Sequence, residues 1–282
     1  MSAVVATRDR PRYLTRLLAS LVRQTYAPLE IVVVDDGSSS DLREVINMHC
    51  VREFVKVKYH NAARSFNEGF LRSQGEFIIF CDDDCEFSPN MIAKLHDALV
   101  SNPSKAYAYC GMSWTNDDNS LKIIGMNPFN AEQLYISNYI SSNSLIRRSK
   151  FIEAGMFDVS LPRQIDWDVW LTMLEKGEEG VPVPEVLFTH TRNLGPRIST
   201  DDHPWPEVPP YQSIRDVIAL KHDKARIALL LERLARVEAE KDALKNELEH
   251  LEKSFGFRVI KLCRSIVDYA FSEELKHEHN TN

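Results

Sequence analysis

The chain has 282 residues, 44% hydrophobic and 27% charged, with a formal net charge of −7. This is ordinary for a soluble globular protein with room for one large domain and an appendage. The acidic balance and the lack of a basic stripe argue against a nucleic-acid partner, and no apolar run reaches the roughly 18 residues of a membrane span. The five cysteines are scattered and odd in number, and no signal peptide is apparent, so a reducing, cytoplasmic setting is expected.

Residues 2–6 form a short apolar run, followed by the polar turn Thr7-Arg8-Asp9-Arg10-Pro11. Leu14, Leu17, Leu18, Leu21 and Val22 then recur at helical spacing, which predicts an amphipathic helix over 13–24. The β-branched run 29–34 predicts a central strand ending in Asp35-Asp36-Gly37. A helix capped by Ser40 or Asp41 runs to about residue 50, a third strand covers 55–59, and a helix covers 62–73. Gln74-Gly75 leads into an apolar strand that ends in Asp82-Asp83-Asp84, bracketed by Cys81 and Cys85. Both cysteines read as buried thiols, since no second pair supplies a zinc site.

Alternating strands and helices with short connections predict a mostly parallel, Rossmann-like sheet covered on both faces. Ligands of such sheets bind outside the carboxyl ends of the strands. Thr7, Asp35-Asp36 and the triplet 82–84 all sit at such ends. Three adjacent carboxylates repel one another unless a cation joins them. Their hard oxygens suit Mn²⁺ or Mg²⁺, which would also bridge to phosphates.

The stretches VVATRDRPRYLTRLLASLVRQTYAPLEIVVVDDGSSSD and NEGFLRSQGEFIIFCDDD resemble the nucleotide-sugar domain of the family 2 glycosyltransferases, which have the GT-A fold. ISSNSLIRRSKFIEAGMFDVSLPRQIDWDVWLTMLEKG resembles the acceptor-side half, so the likeness covers about residues 2–200. It implies a nucleotide-sugar donor held by Thr7, Arg8, Asp35, Asp36, Asn67, Asp82 and Asp83. It also implies a metal bound by Asp84, Asp82 and His190, and inversion by single displacement with Asp166 as the base. Asp83 is expected to point away from its neighbours, as alternate residues of an extended chain do. Two departures stand out. Phe66 occupies the place of an arginine before Asn67-Glu68-Gly69, with Arg64 two residues earlier. Ile165 replaces the first acid of the usual ED pair.

Further strands are predicted at 107–112, 144–148 and 186–189, with helices at 91–100, 149–154 and from Asp166 onward. Trp167 and Trp170 offer faces for a sugar or for the core. The Pro-rich stretch 200–210, near Arg192, reads as a linker or lid. The glycosyltransferase domain is thus expected over 1–205, and a linker and helix over 206–225. In 226–254, Ile227, Leu234 and Leu248 fall on one heptad position, and Leu230, Val237, Leu244 and Leu251 on its partner. This predicts a coiled coil and a homo-oligomer. In 255–282, Arg258, Lys261 and Arg264 lie opposite apolar residues, which suggests peripheral contact with the inner membrane face. The acceptor expected is a glycan or lipid-linked glycan of a capsule or O-antigen-like polysaccharide. A nucleotidyltransferase on a related sheet, or an inactive scaffold acting through its coiled coil, remains an alternative.

Overall fold

The computed structural model describes residues 1–115, 120–191 and 210–254. It begins with β1 (Ser2–Thr7), α1 (Pro11–Val22), β2 (Glu30–Asp36), α2 (Arg43–Asn47), β3 (Glu53–Val57), α3 (Ala62–Arg72) and β4 (Phe77–Asp82). There follow β5 (Cys85–Phe87), α4 (Met91–Ser101), β6 (Tyr107–Thr115), β7 (Leu121–Ile124), α5 (Ala131–Ile136), β8 (Leu145–Arg147), α6 (Arg148–Ala154), α7 (Ile165–Glu175), β9 (Gly180–His190) and α8 (Tyr211–Ser254). Contacts divide the chain into two compact units, Met1–Asp223 and Lys224–Asn282.

One mixed sheet runs in the order β3-β2-β1-β4-β8-β6-β9-β5, with β7 paired to β6. Strands β3, β2, β1 and β4 are parallel, whereas β8 runs antiparallel to both β4 and β6. The order 3-2-1-4 reverses at β1, and a crevice opens where successive crossovers diverge. Register fixes its floor, because Thr7 lies beside Asp35 and Ala6 beside Asp82. The convergence of strand ends expected from the sequence is therefore real.

Side chains alternate along these strands, so each strand feeds two cores. Ala3, Val5, Ile31, Val33, Ile79 and Cys81 pack with Leu14, Leu17 and Leu18 of α1 and Leu95 and Leu99 of α4. On the other face Phe80 meets Phe66, Phe70, Phe151 and Phe157 at ring-centroid distances of 4.6–6.4 Å. Gly69 lets α3 approach closely, since a Cβ there would lie 2.4 Å from Cγ1 of Val4.

The structure departs from the sequence reading in several elements. Strand β2 runs on through Asp35 and Asp36, because parallel pairing with β1 and β3 continues past the apolar run. Helix α2 is shorter than expected. Strands β5 and β7 and helix α5 have too few residues for a periodic pattern, and their neighbours define them. Strand β5 is held by β9, β7 by β6, and α5 starts where the side chain of Asn130 caps Gln133 N.

The start of α8 belongs to the first unit. Ile214 and Ile218 are buried, and Arg215 Nη2 donates to the carbonyl of Ile136 at 2.7 Å. In the second unit α8 continues with Ile227, Leu230, Leu234, Val237 and Leu244 each roughly half exposed, at 45–55%. Among the described residues no helix is long and apolar enough to cross a membrane. Arg192, nearly all of the Pro-rich stretch and the basic amphipathic segment after residue 254 lie outside the described residues.

Candidate active site

The crevice at the ends of β1 and β4 is a cleft of about 400 Å³, within the range of small-molecule sites. Its walls include Thr7, Arg8, Arg10, Asp36, His60, Asn61, Asp82, Asp83, Asp84, Asn138, Ser142, Arg163, Asp166 and His190. Among the described non-glycine residues with positive φ, His60 and Gln164 line it, and Asp9 lies between its lining residues Arg8 and Arg10. Such backbone states are costly and concentrate at functional sites.

All three carboxylates of the triplet face the cleft, Asp83 included. The expected alternation fails because β4 ends at Asp82 and the chain turns through Asp83 and Asp84. Asp83 accepts from Thr7 Oγ1 at 2.7 Å and from Arg10 Nη1 at 2.6 Å. Burial raises its pKa to about 6 against the opposing charge of Arg10. Asp82 accepts from Ser142 Oγ at 2.6 Å and Asn143 Nδ2 at 3.1 Å. Although partly reachable from the cleft, its carboxyl lies deep enough that burial, then Asp84, push its pKa up to about 7. Asp84 stands between Arg10 Nη1 and His190 Nδ1, each 3.4 Å away. His190 arrives there because β5 pairs with β9, setting Cys85 opposite His190.

The oxygens of Asp82 and Asp84 and the imidazole of His190 fit a hard divalent cation such as Mn²⁺ or Mg²⁺. A cation would also relieve the mutual repulsion that raises Asp82. Ligand atoms of Asp82, Cys85 and His190 lie within 4.8 Å of one another. The Cys85 thiol is buried, which pushes its pKa well up, and its soft sulfur is a poor match for a hard cation. Asp84, expected as the principal ligand, instead has its oxygens turned to Arg10 and His190.

Asp166 lies in the first turn of α7 rather than at its N-cap, which is Gln164. Asn138 Nδ2 donates to its carboxylate at 2.9 Å. Burial raises its pKa, opposed by Asn138 and by backbone N–H groups including those of Trp167 and Ser142. A buried carboxylate more basic than usual, with N–H donors aimed at its charged form, is suited to accept a proton.

Other expected residues serve the frame. Asp35 is fully buried and outside the cleft lining, with Oδ1 accepting from Ser38 N at 2.9 Å. Asp36 lines the cleft, but it accepts from three backbone amides, Tyr59, His60 and Asn61, at 2.6–2.8 Å. It therefore shapes the β3–α3 loop. Arg64 is exposed and outside the cleft lining. Trp167 and Trp170 are buried and donate to the carbonyls of Leu134 and Ile140 at 2.7 and 3.0 Å, so neither offers a sugar platform.

Asn67 also lies outside the cleft lining, contrary to the donor role expected of it. Its amide donates to the carbonyl of Phe157 at 2.9 Å and accepts from Phe157 N at 3.2 Å. Asn67→Ala is expected to lower stability by about 1–3 kcal/mol, because it strands two buried backbone groups. Donor affinity should stay unchanged in a titration of the folded variant.

Sequence reasoning passed over Arg10, Asn138, Ser142 and Asn143. The signal for the last three was the Asn/Ser-rich run 137–144 just before β8. That run ties the halves of the site together, with Ser142 and Asn143 on Asp82 and Asn138 on Asp166.

A mixed α/β sheet with helices flanking it and an acidic triplet at the end of a central strand matches the GT-A fold. The family model for Glycosyl transferase family 2 matches residues 2–155, and the chain belongs to this family. It is 30% identical over 204 residues to a Bacillus subtilis protein named as the uncharacterized glycosyltransferase YwdF, covering 67% of this chain and 73% of that one. It is 27% identical over 192 residues to Escherichia coli WcaA, named as a candidate colanic acid biosynthesis glycosyl transferase, covering 63% of this chain and 67% of that one. Among solved structures, S. aureus TarS 1-349 in complex with UDP-GlcNAc superposes with a TM-score of 0.64 at 17% identity, over 78% of this chain and 65% of that one. The last is a likeness of fold. Family membership disposes of the nucleotidyltransferase alternative.

Proposed function

We propose that the protein is a metal-dependent, inverting glycosyltransferase that moves a sugar from a nucleotide sugar to a hydroxyl of a glycan or lipid-linked acceptor. The observation that carries this reading is one cleft containing both the acidic triplet and Asp166, joined by residues 138–143. Mn²⁺ or Mg²⁺, when bound, would supply Lewis-acid stabilisation of the departing diphosphate. Asp82, Asp84 and His190 would hold it. Asp166 would take the proton of the attacking hydroxyl, while Asn138 and the first amides of α7 orient its carboxylate. Asp36, through the β3–α3 loop, would shape the nucleoside end, and Thr7 and Arg10 would keep Asp83 in place.

The name of WcaA supports surface polysaccharide assembly as the setting, and the UDP-GlcNAc complex of TarS makes that donor the first to test. The heptad of half-exposed apolar residues in α8 supports a coiled-coil homo-oligomer. A peripheral position at the inner membrane face would fit a lipid-linked acceptor.

The test incubates purified protein with a panel of nucleotide sugars under Mn²⁺, Mg²⁺ or EDTA and follows released nucleoside diphosphate. Cation-dependent turnover of one donor is expected. Failure to bind or hydrolyse every donor, with no response to cation, would sink the reading.

A further inference from the structure

Asp84 is expected to ligate the cation, yet one of its oxygens faces the guanidinium of Arg10. Arg10 is well placed to stay there. Its Nη1 lies 2.6 Å from Asp83, its guanidinium stacks over the Tyr13 ring at 5.0 Å, and its side chain is only 15% exposed. The other oxygen of Asp83 is taken by Thr7. Asp83 is thus a mooring for Arg10, with both its oxygens engaged. The contact to Asp84 is different. At 3.4 Å it is too long for a strong charge-assisted hydrogen bond, so Asp84 can be drawn away while Arg10 remains anchored.

The cleft has a second feature that gives this contact a purpose. Arg64 on α3, two residues before the position where the resembled family carries an arginine, is exposed outside it. Arg10 sits inside the cleft beside the triplet, and a planar guanidinium pairs well with phosphate oxygens.

Resting on the metal-dependent reading above, we propose that Arg10 is an internal counter-ion that competes with the divalent cation for Asp84 and, once displaced from it, binds the donor's diphosphate. Before the donor arrives, the guanidinium screens the triplet. When cation and diphosphate arrive together, Asp84 turns to the cation and the released edge of Arg10 turns to the phosphates. Cation and diphosphate then bind cooperatively, because each favours the state the other needs.

The test uses the full chain with two probes, Mn²⁺ alone and Mn²⁺ with inorganic pyrophosphate, followed by the EPR signal of free Mn²⁺ and by calorimetry. Arg10→Gln is expected to tighten binding of Mn²⁺ alone by about fivefold or more and to weaken pyrophosphate at saturating Mn²⁺ by about tenfold. In the wild-type protein, phenylglyoxal labelling mapped to Arg10 by mass spectrometry should rise with Mn²⁺ alone and fall with Mn²⁺ plus pyrophosphate. This second measurement stands even if the variant does not fold. Unchanged or weaker Mn²⁺ binding in folded Arg10→Gln overturns the proposal, as does Mn²⁺-insensitive labelling of Arg10. Those results leave the wild type binding Mn²⁺ and donor, and so leave the transferase reading intact. Absence of Mn²⁺ binding in the wild type, with or without pyrophosphate, overturns both the proposal and the metal dependence on which it rests.

Discussion

Asp166→Asn is expected to lower kcat by about 10²–10⁴-fold, the usual contribution of a positioned general base. Donor binding should persist, because the amide is isosteric and the triplet is untouched. The replacement also spares the frame, since an Asn side-chain oxygen can still accept from the N–H groups at the start of α7. Single-turnover kinetics at saturating donor and cation separate the two effects. Full activity in the variant would move the base elsewhere. The pH profile gives a second handle. Burial raises the Asp166 pKa, so activity should be lost, as pH falls, sooner than for an ordinary carboxylate. Asn138 donates to the ionised form, so Asn138→Ala should move that limb to still higher pH. With Asp82 holding the cation as proposed, saturating cation would keep Asp82 ionised and its titration out of the profile.

The second large effect concerns a buried charge cluster away from the cleft. His222 is buried at 3% exposure, with Nδ1 2.6 Å from Glu175 and Nε2 3.0 Å from Asp168. Lys221 bridges Asp158 and Asp168 at 2.8 Å each. These contacts dock the start of α8 on α7, the helix that carries Asp166. Asp168→Ala is expected to cost about 3–5 kcal/mol, since it leaves the buried His222 with Glu175 as its one carboxylate partner. Lys221 is 40% exposed and can turn to solvent, so the loss comes mainly through His222. Chemical denaturation of both proteins measures this, and a loss under 1 kcal/mol would mean that the cluster is stabilised from elsewhere.

The same cluster sets a pH window. Burial pulls the His222 pKa down, but the bonds to Asp168 and Glu175 outweigh it, and the net shift is upward from 6.5. The folded state therefore holds the proton more tightly than the unfolded one. The stability this supplies is complete below about pH 6.5, the unfolded value, and is lost as pH rises through the folded pKa. Denaturation midpoints of the wild type should fall across that alkaline range, and those of Asp168→Ala should fall less.

Periodicity alone determined the parallel half of the sheet, β1 to β4, whereas the antiparallel pairings of β5, β7 and β8 were not legible in it. The β-branched runs, the leucines of α1 and the short connections require parallel strands whose polar ends meet at one edge, because strand–helix alternation leaves few other topologies. The family motifs then led to the triplet and to Asp166, and both lie in the cleft. Tertiary structure decided what each carboxylate touches. Asp35, Asp36 and Asn67 look alike in sequence as polar residues near the donor, but their bonds to Ser38, to three loop amides and to Phe157 make them parts of the frame. The turn after Asp82, not strand alternation, aims Asp83 into the cleft. Arg10 and Asn138 reach the site from 73 and 28 residues away in sequence. No local pattern encodes such distances, because a hydrogen bond depends on where two chains meet rather than on what either one spells.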